Sequence, residues 1–348
     1  MKKCLKLLGV IAFVMIIGLS MTGCDFINDN GNGGSGGGRS GSKHVANELA
    51  RIQREAESHG TYIIEVSADE NIAPHTLEYM GAINVTVILR GIGGNRTLRL
   101  ATNGTMFTVS SNVTFVLDNN ITLQGHSQNT REMVRVNNNG IFKMNDGTTI
   151  TDNNGGGVYV LHGSFEMTGG IISGNTRNVW DVSIGTGGGG IFFHGGSFDM
   201  KGGSIFGNTT TGLGGGVALA GCNFNMSGGN ISSNNASDGG GVYAQGGTFN
   251  MTGGTITNNI AINKGGGVYL RDIDFNKGGG TITGYNSDQS NGNVVRDAVG
   301  NVIARRGHAV SIGNSVNEIK AYKDNTVGSS DNLFSTWLYH FSGEWDYL

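Results

Sequence analysis

Between residues 155 and 286 apolar and polar positions alternate in short bursts, and the order of the bursts returns five times. Each copy is a glycine run, an alternating apolar segment, Phe-x-Met, Gly-Gly and Ile-x-x-Asn. The copies read GGGVYVLHGSFEMTGGIISGN (155–175), GGGGIFFHGGSFDMKGGSIFGN (187–208), GGGVALAGCNFNMSGGNISSN (214–234), GGGVYAQGGTFNMTGGTITNN (239–259) and GGGVYLRDIDFNKGGGTITGY (265–285). Only the fifth drifts, with Lys277 in place of Met and Tyr285 in place of Asn. Weaker copies precede them at Val113–Leu117 with Ile121–Leu123, and at Ile141–Met144 with Thr149–Asn153. A short apolar segment with period two is a half-buried strand. Three such segments in about 25 residues, repeated, predict a parallel β-helix of about eight rungs.

Alternation also assigns the faces. In strand one Val158/Val160, Ile191/Phe193, Val217/Leu219, Val242/Ala244 and Val268/Leu270 point inward. In strand two Phe and Met of each Phe-x-Met point inward and stack. In strand three Ile150, Ile172, Ile205, Ile231, Ile256 and Ile282 fill the core. Three residues beyond the first five of these stand Asn153, Asn175, Asn208, Asn234 and Asn259. That fixed offset predicts a structural asparagine ladder, each side chain bonding its copies at the ~4.8 Å strand spacing. The single proline, Pro74, agrees with a ladder of backbone hydrogen bonds that proline would interrupt.

The ends follow different patterns. Val45, Leu49, Ile52 and Ala56 recur at helical spacing and predict an amphipathic cap ending near Gly60. After Ala309–Ile312 the repeat fades, and Trp337, Tyr339, Phe341, Trp345 and Tyr347 suggest an aromatic plug within 313–348. At the other extreme, Lys2 and Lys3 precede an apolar run, Leu7–Leu19, that is too short to span a membrane as a helix. The segment Leu19-Ser-Met-Thr-Gly-Cys24 resembles the lipobox of bacterial lipoproteins, which implies cleavage after residue 23 and lipidation of Cys24. Residues 25–43 are almost free of apolar side chains and read as a flexible tether of roughly 24 Å root-mean-square span. The expected organisation is thus signal peptide 1–23, lipidated cysteine and tether 24–43, β-helix with its helical cap 44–312, and C-terminal cap 313–348. Cys222 is then left as an isolated small packed residue.

The helix-then-strand opening resembles the N-terminal cap of the pectin-lyase-like right-handed parallel β-helix superfamily. The Gly-Gly-Gly-Val/Ile and Ile-x-x-Asn units, Ile205-Phe-Gly-Asn208 among them, resemble repeats of polymorphic outer-membrane proteins and autotransporter passengers. The resemblance covers roughly residues 105–312. It implies an all-β, right-handed, single-stranded β-helix displayed on a bacterial surface. In those families a translocating β-barrel follows the passenger, whereas here only 313–348 follow, so the lipid on Cys24 is the implied anchor.

Function is less legible. The outward positions of strand one read Thr108, Arg135, Tyr159, Phe192, Ala218, Tyr243 and Tyr269. Tyr159, Phe192, Tyr243 and Tyr269 form a candidate binding strip for glycans or host-matrix proteins. Cross-rung packing, or coverage by the 177–186 insertion or the C-terminal tail, would account for the same aromatics. The same superfamily contains polysaccharide lyases and hydrolases, which work with clustered carboxylates. Outward on strand two stand Lys143, Glu166, Asp199, Asn225, Asn250 and Asn276, so Glu166 and Asp199 are the carboxylate pair brought together on adjacent rungs. A solvated ladder with Lys143 offsetting Glu166 is the reading favoured over an acid/base pair, surface charge being the default. Asp272 and Asp274, beside Arg271, and the corner histidines His162 and His194 lack a third partner for metal or acid–base work. Thr255-Ile-Thr257 and Thr281-Ile-Thr283 look like ice-binding ladders, but Ile171, Phe206 and Asn230 break the pattern. The glycine runs precede strands rather than helices and so fail as phosphate loops. A net charge of −3 with scattered basic residues argues against nucleic acid. The expectation is a monomeric surface lipoprotein, outer-membrane anchored, acting as an adhesin with no cofactor, metal or catalysis. A carbohydrate-active enzyme and a passive variable coat protein are the alternatives.

Overall fold

The computed structural model describes residues 44–178, 187–304 and 306–313, with short pieces at 319–323, 325, 327, 333–335 and 346–347. The expected signal peptide, Cys24 and the tether lie outside the described residues, as do Trp337, Tyr339, Phe341 and Trp345. The chain forms an all-β parallel solenoid of about eight turns with one short helix, His44–Glu55, at its N-terminal end. Val45, Leu49 and Ile52 bury one face of that helix, as their spacing predicts. The Val45 N–H, one of the donors a helix leaves unsatisfied, donates to the Glu70 carboxylate at 3.1 Å. Glu70 is 2 % exposed, so a buried anion from a strand caps the helix where its dipole is positive.

Each turn passes through three sheets. The first holds strands one and two, which merge into single ten-residue strands at Val217–Met226 and Val242–Met251. The second stacks nine parallel strands, from Glu70–Ile72 to Thr281–Ile282. The third is a smaller sheet of five: Thr176–Arg177, Thr209–Thr210, Asn235–Asp238, Ile260–Lys264 and Val294–Val295. This third sheet is not among the three segments per copy that the apolar pattern predicts. At the C-terminal edge the pairing turns antiparallel, with Ile319–Lys323 on Val310–Gly313 and Leu333–Ser335 on Asp274–Lys277. These strands cover a ladder edge that would otherwise invite another chain.

The core is a set of columns. Phe115, Phe142, Phe165, Phe198, Phe224, Phe249 and Phe275 are 0–1 % exposed and stack with ring centroids 4.6–5.7 Å apart. Identical rings in register give offset stacking in addition to buried area. Met144, Met167, Met200, Met226 and Met251 run beside them, and the column ends in Lys277, which is fully buried. Its aliphatic stem continues the methionine column while the ammonium donates to the Gly280 carbonyl at 3.1 Å. The fifth copy's drift therefore falls where the column runs out. In the Gly-Gly turn, a Cβ on Gly202, Gly228, Gly253 or Gly279 would sit 2.1–2.3 Å from a carbonyl oxygen of the rung before it, so close rung stacking requires glycine there.

The asparagines form a buried ladder. The Asn234 side chain shows the pattern: its Oδ1 accepts from Asn208 N–H and Nδ2, both at 3.0 Å. Its Nδ2 donates to the Ile205 carbonyl and to Asn259 Oδ1, again at 3.0 Å. Asn153, Asn175, Asn208, Asn234 and Asn259 are 0–1 % exposed and joined rung to rung. Two further members extend it: Asn129 donates to Asn153 at 2.8 Å, and Asn293 accepts from Asn259 at 2.8 Å. Asn293 escapes the fixed offset because residues 283–292 intervene after Ile282.

Candidate functional site

Parallel registry aligns the outward positions of strand one into a single column: Thr76, Thr108, Arg135, Tyr159, Phe192, Ala218, Tyr243, Tyr269 and Ser311. The register matches the sequence alternation, but the exposure does not. Thr76 is exposed, and Thr108, Arg135 and Tyr159 are half-buried. From Phe192 onward the column is closed, with Phe192 5 %, Ala218 0 %, Tyr243 2 % and Tyr269 1 % exposed. Three of the four aromatics expected to form an open strip therefore face a cover.

The third sheet supplies part of that cover. After the asparagine ladder the chain turns back and lays a charged edge over the column. Arg177 places its guanidinium 5.9 Å from the Tyr159 ring centroid and 5.4 Å from that of Phe192. Tyr159 and Phe192 stack at 5.2 Å, and Arg135 sits 4.5 Å from the Tyr159 centroid on the other side. Farther along, Gly187, Leu213, Asp238 and Lys264 pair in parallel, and Lys264 Nζ lies 4.9 Å over the Tyr269 ring. These cation–π contacts gain strength from desolvation.

Burial perturbs the groups in this layer. It pushes the Tyr243 and Tyr269 phenols up and the Arg177 guanidinium and Lys264 ammonium down. The Asp238 carboxyl is raised by burial, against the opposing pull of Lys264, Asn263 and Arg271. Asp238 Oδ1, Tyr269 Oη and Ser311 Oγ are buried without a hydrogen-bond partner. Tyr243, by contrast, donates to Gln245 Oε1 at 2.9 Å and accepts from Arg271 at 3.5 Å.

The carboxylate pair is also in register, Glu166 opposite Asp199. Glu166 is held between Lys143, at 3.0 Å, and Lys201. Those lysines, Lys201 first, hold its carboxyl below the usual range, which opposes a proton-donor role. Asp199 accepts from Asn225 Nδ2 at 2.7 Å and thereby starts a second, outward amide ladder. Asn250 donates to Asn225, and Asn276 to Asn250, each at 2.8 Å.

The remaining candidates are scattered. His162 and His194 have ring centroids 5.6 Å apart, with His162 in a left-handed turn at φ 51°. Asp272 occupies a similar turn at φ 48° between the strands Val268–Arg271 and Asp274–Lys277, and Ile273 beside it is buried. Among the described residues no group of three or more His, Cys, Asp or Glu side chains gathers as metal ligands. Cys222 is free and buried, its thiol pushed up to about 12 by desolvation. No described helix is long and apolar enough to cross a membrane. Comparisons with protein-family models, with curated proteins and with solved structures each return no match.

Proposed function

We infer that this chain is a lipid-anchored bacterial surface protein, held off the outer membrane through Cys24 and its tether, whose solenoid contacts glycan or host-matrix surfaces without catalysis. The lipobox-like segment and the repeat resemblance support the anchorage and the pectin-lyase-like affiliation. The observation that carries the contact role is the uncharged C-terminal half of the outward row on strand two. Asn225, Asn250 and Asn276 bond one another in sequence and fix their amides at strand spacing, so each has hydrogen-bonding capacity left for a partner. On strand three, in the second sheet, Ser204, Asn230, Thr255 and Thr281 form a further outward row of hydroxyls and an amide. Such a surface suits an extended, hydroxylated, uncharged polymer better than a charged one.

The test is an array of glycans and matrix proteins probed with the full chain and with an Asn225/Asn250/Asn276→Ala variant. Binding that falls in the variant supports the contact role. Absence of binding by the parent chain to every glycan and matrix protein removes it. Against the enzyme alternative stands the state of Glu166, held as a carboxylate between two lysines.

A further inference from the structure

At its N-terminal end the strand-one column is open, and a cleft of about 640 Å³ lies between it and the loop 78–84. That volume falls within the roughly 300–1,000 Å³ of small-ligand sites. Its two walls differ in chemistry. One is polar, with Thr108 from the column, Ser110 and Ser111 from the following corner and Asn137 from the next rung. The other is the loop, where Met80 is 94 % and Ile83 50 % exposed. These two side chains put apolar surface in water beside hydroxyl donors. Tyr79 also lines the cleft, and its buried hydroxyl has no hydrogen-bond partner.

The polar wall is braced from the next rung of the same face. Arg135 Nη1 is paired with Glu132, 4 % exposed, at 2.9 Å, and its Nε donates to Asn137 Oδ1 at 3.2 Å. That bond fixes which end of the Asn137 amide accepts, and leaves the N–H₂ group to donate. A side chain positioned by a second layer of contacts loses less freedom on binding. No lysine or arginine is among the lining residues, and Glu78 is their one carboxylate. Arg135, one contact away behind Asn137, already has its charge matched by Glu132, so phosphorylated or acidic ligands meet no unmatched cation in the lining. A neutral pyranose has hydroxyls around its edge and C–H groups on its faces, which matches a hydroxyl and amide wall opposite a methyl and thioether wall.

We propose that this cleft seats one or two neutral sugar units. The proposal rests on the glycan-contact reading and gives that reading a site apart from the Asn225–Asn276 row. Thr108 is an outward strand position, so Thr108→Val keeps its shape and strand preference while removing the hydroxyl, and Thr108→Trp fills the cleft. The experiment is saturation-transfer NMR on the full chain in a sugar-free detergent, with cellobiose, lactose, maltose and diacetylchitobiose as probes. Circular dichroism checks that each variant is folded. The expected result is transfer to at least one disaccharide, abolished by Thr108→Trp and weakened about tenfold by Thr108→Val. The Asn225/Asn250/Asn276→Ala chain should retain it. No transfer to any of the four, or transfer untouched by Thr108→Trp in a folded variant, overturns the cleft. Array binding that survives Thr108→Trp but falls in the asparagine variant would overturn the cleft alone and leave the wider contact role standing. Disaccharide binding with an empty array would do the reverse.

Discussion

One column of outward side chains lives in two environments. From Thr76 to Tyr159 it is polar and at least partly open; from Phe192 to Ser311 it is aromatic or small and closed. Backbone registry is the same in both halves, so the strand pattern is not the cause of the difference. What differs is the third sheet, which begins at Thr176–Arg177 and reaches the column through Arg177 at Phe192 and Lys264 at Tyr269. Aromatic side chains that would bind a ligand on a bare sheet are instead buried in the second half, Phe192 beside Arg177 and Tyr269 under Lys264. Where the layer is missing, the cleft appears. An outward position on a strand is thus only a statement about its own sheet.

The largest expected effect breaks the comparison directly. Tyr269→Ala should cost about 3–5 kcal/mol, as expected when a fully buried aromatic is removed, whereas Thr108→Ala should stay within about 0.5 kcal/mol. Urea unfolding of the two variants checks this, and equal costs would show that the cover is absent. Asn234→Ala should cost about 2–3 kcal/mol, since it strands buried partners on both adjacent rungs. The same unfolding curves read it.

A subtler pair sharpens what the cover holds. Tyr243→Phe loses two hydrogen bonds and should cost about 1 kcal/mol, while Tyr269→Phe removes a buried hydroxyl with no partner and should be neutral or stabilising. The expected outcome is a lowered thermal midpoint for Tyr243→Phe and an unchanged or raised one for Tyr269→Phe. The smallest effect is a slope. Burial holds the Asp238 carboxyl above its ordinary value of 3.8, so the folded chain binds that proton more tightly than the unfolded one. The stability this group contributes is present below the unfolded value and is lost as pH rises through the folded one. Lys264, Asn263 and Arg271 face it and limit the rise. Asp238→Asn should remove that loss, so its advantage over the parent should grow as the pH is raised from below 3.8 toward neutrality. A constant difference across that range would mean that Asp238 titrates normally.

Much of this molecule was legible in its residues. The Phe-x-Met and Ile-x-x-Asn units set the registers of the first two sheets, because a period-two pattern repeated at a fixed interval leaves one way to stack. The helical cap followed from Val45, Leu49 and Ile52, and the ladder from the asparagine offset. The third sheet was hidden because Thr209–Thr210, Asn235–Asp238 and Ile260–Lys264 share no motif and lie between ladder and glycine run, where they read as turns. A cover was foreseeable only as an alternative, from the 177–186 insertion or the C-terminal tail. The cleft was hidden for a different reason: the loop 78–84 precedes the strong repeats and brings Met80 against residues some thirty positions away.

The account turns on the contrast within the strand-one column, and side-chain footprinting with hydroxyl radicals measures it directly. Rates in the folded chain, each divided by the rate in the unfolded chain, should show Phe192, Tyr243 and Tyr269 strongly protected, Tyr159 intermediate and Met80 and Ile83 nearly unprotected. Tyr243 and Tyr269 reacting as freely as Met80 would contradict the cover and restore an open aromatic strip.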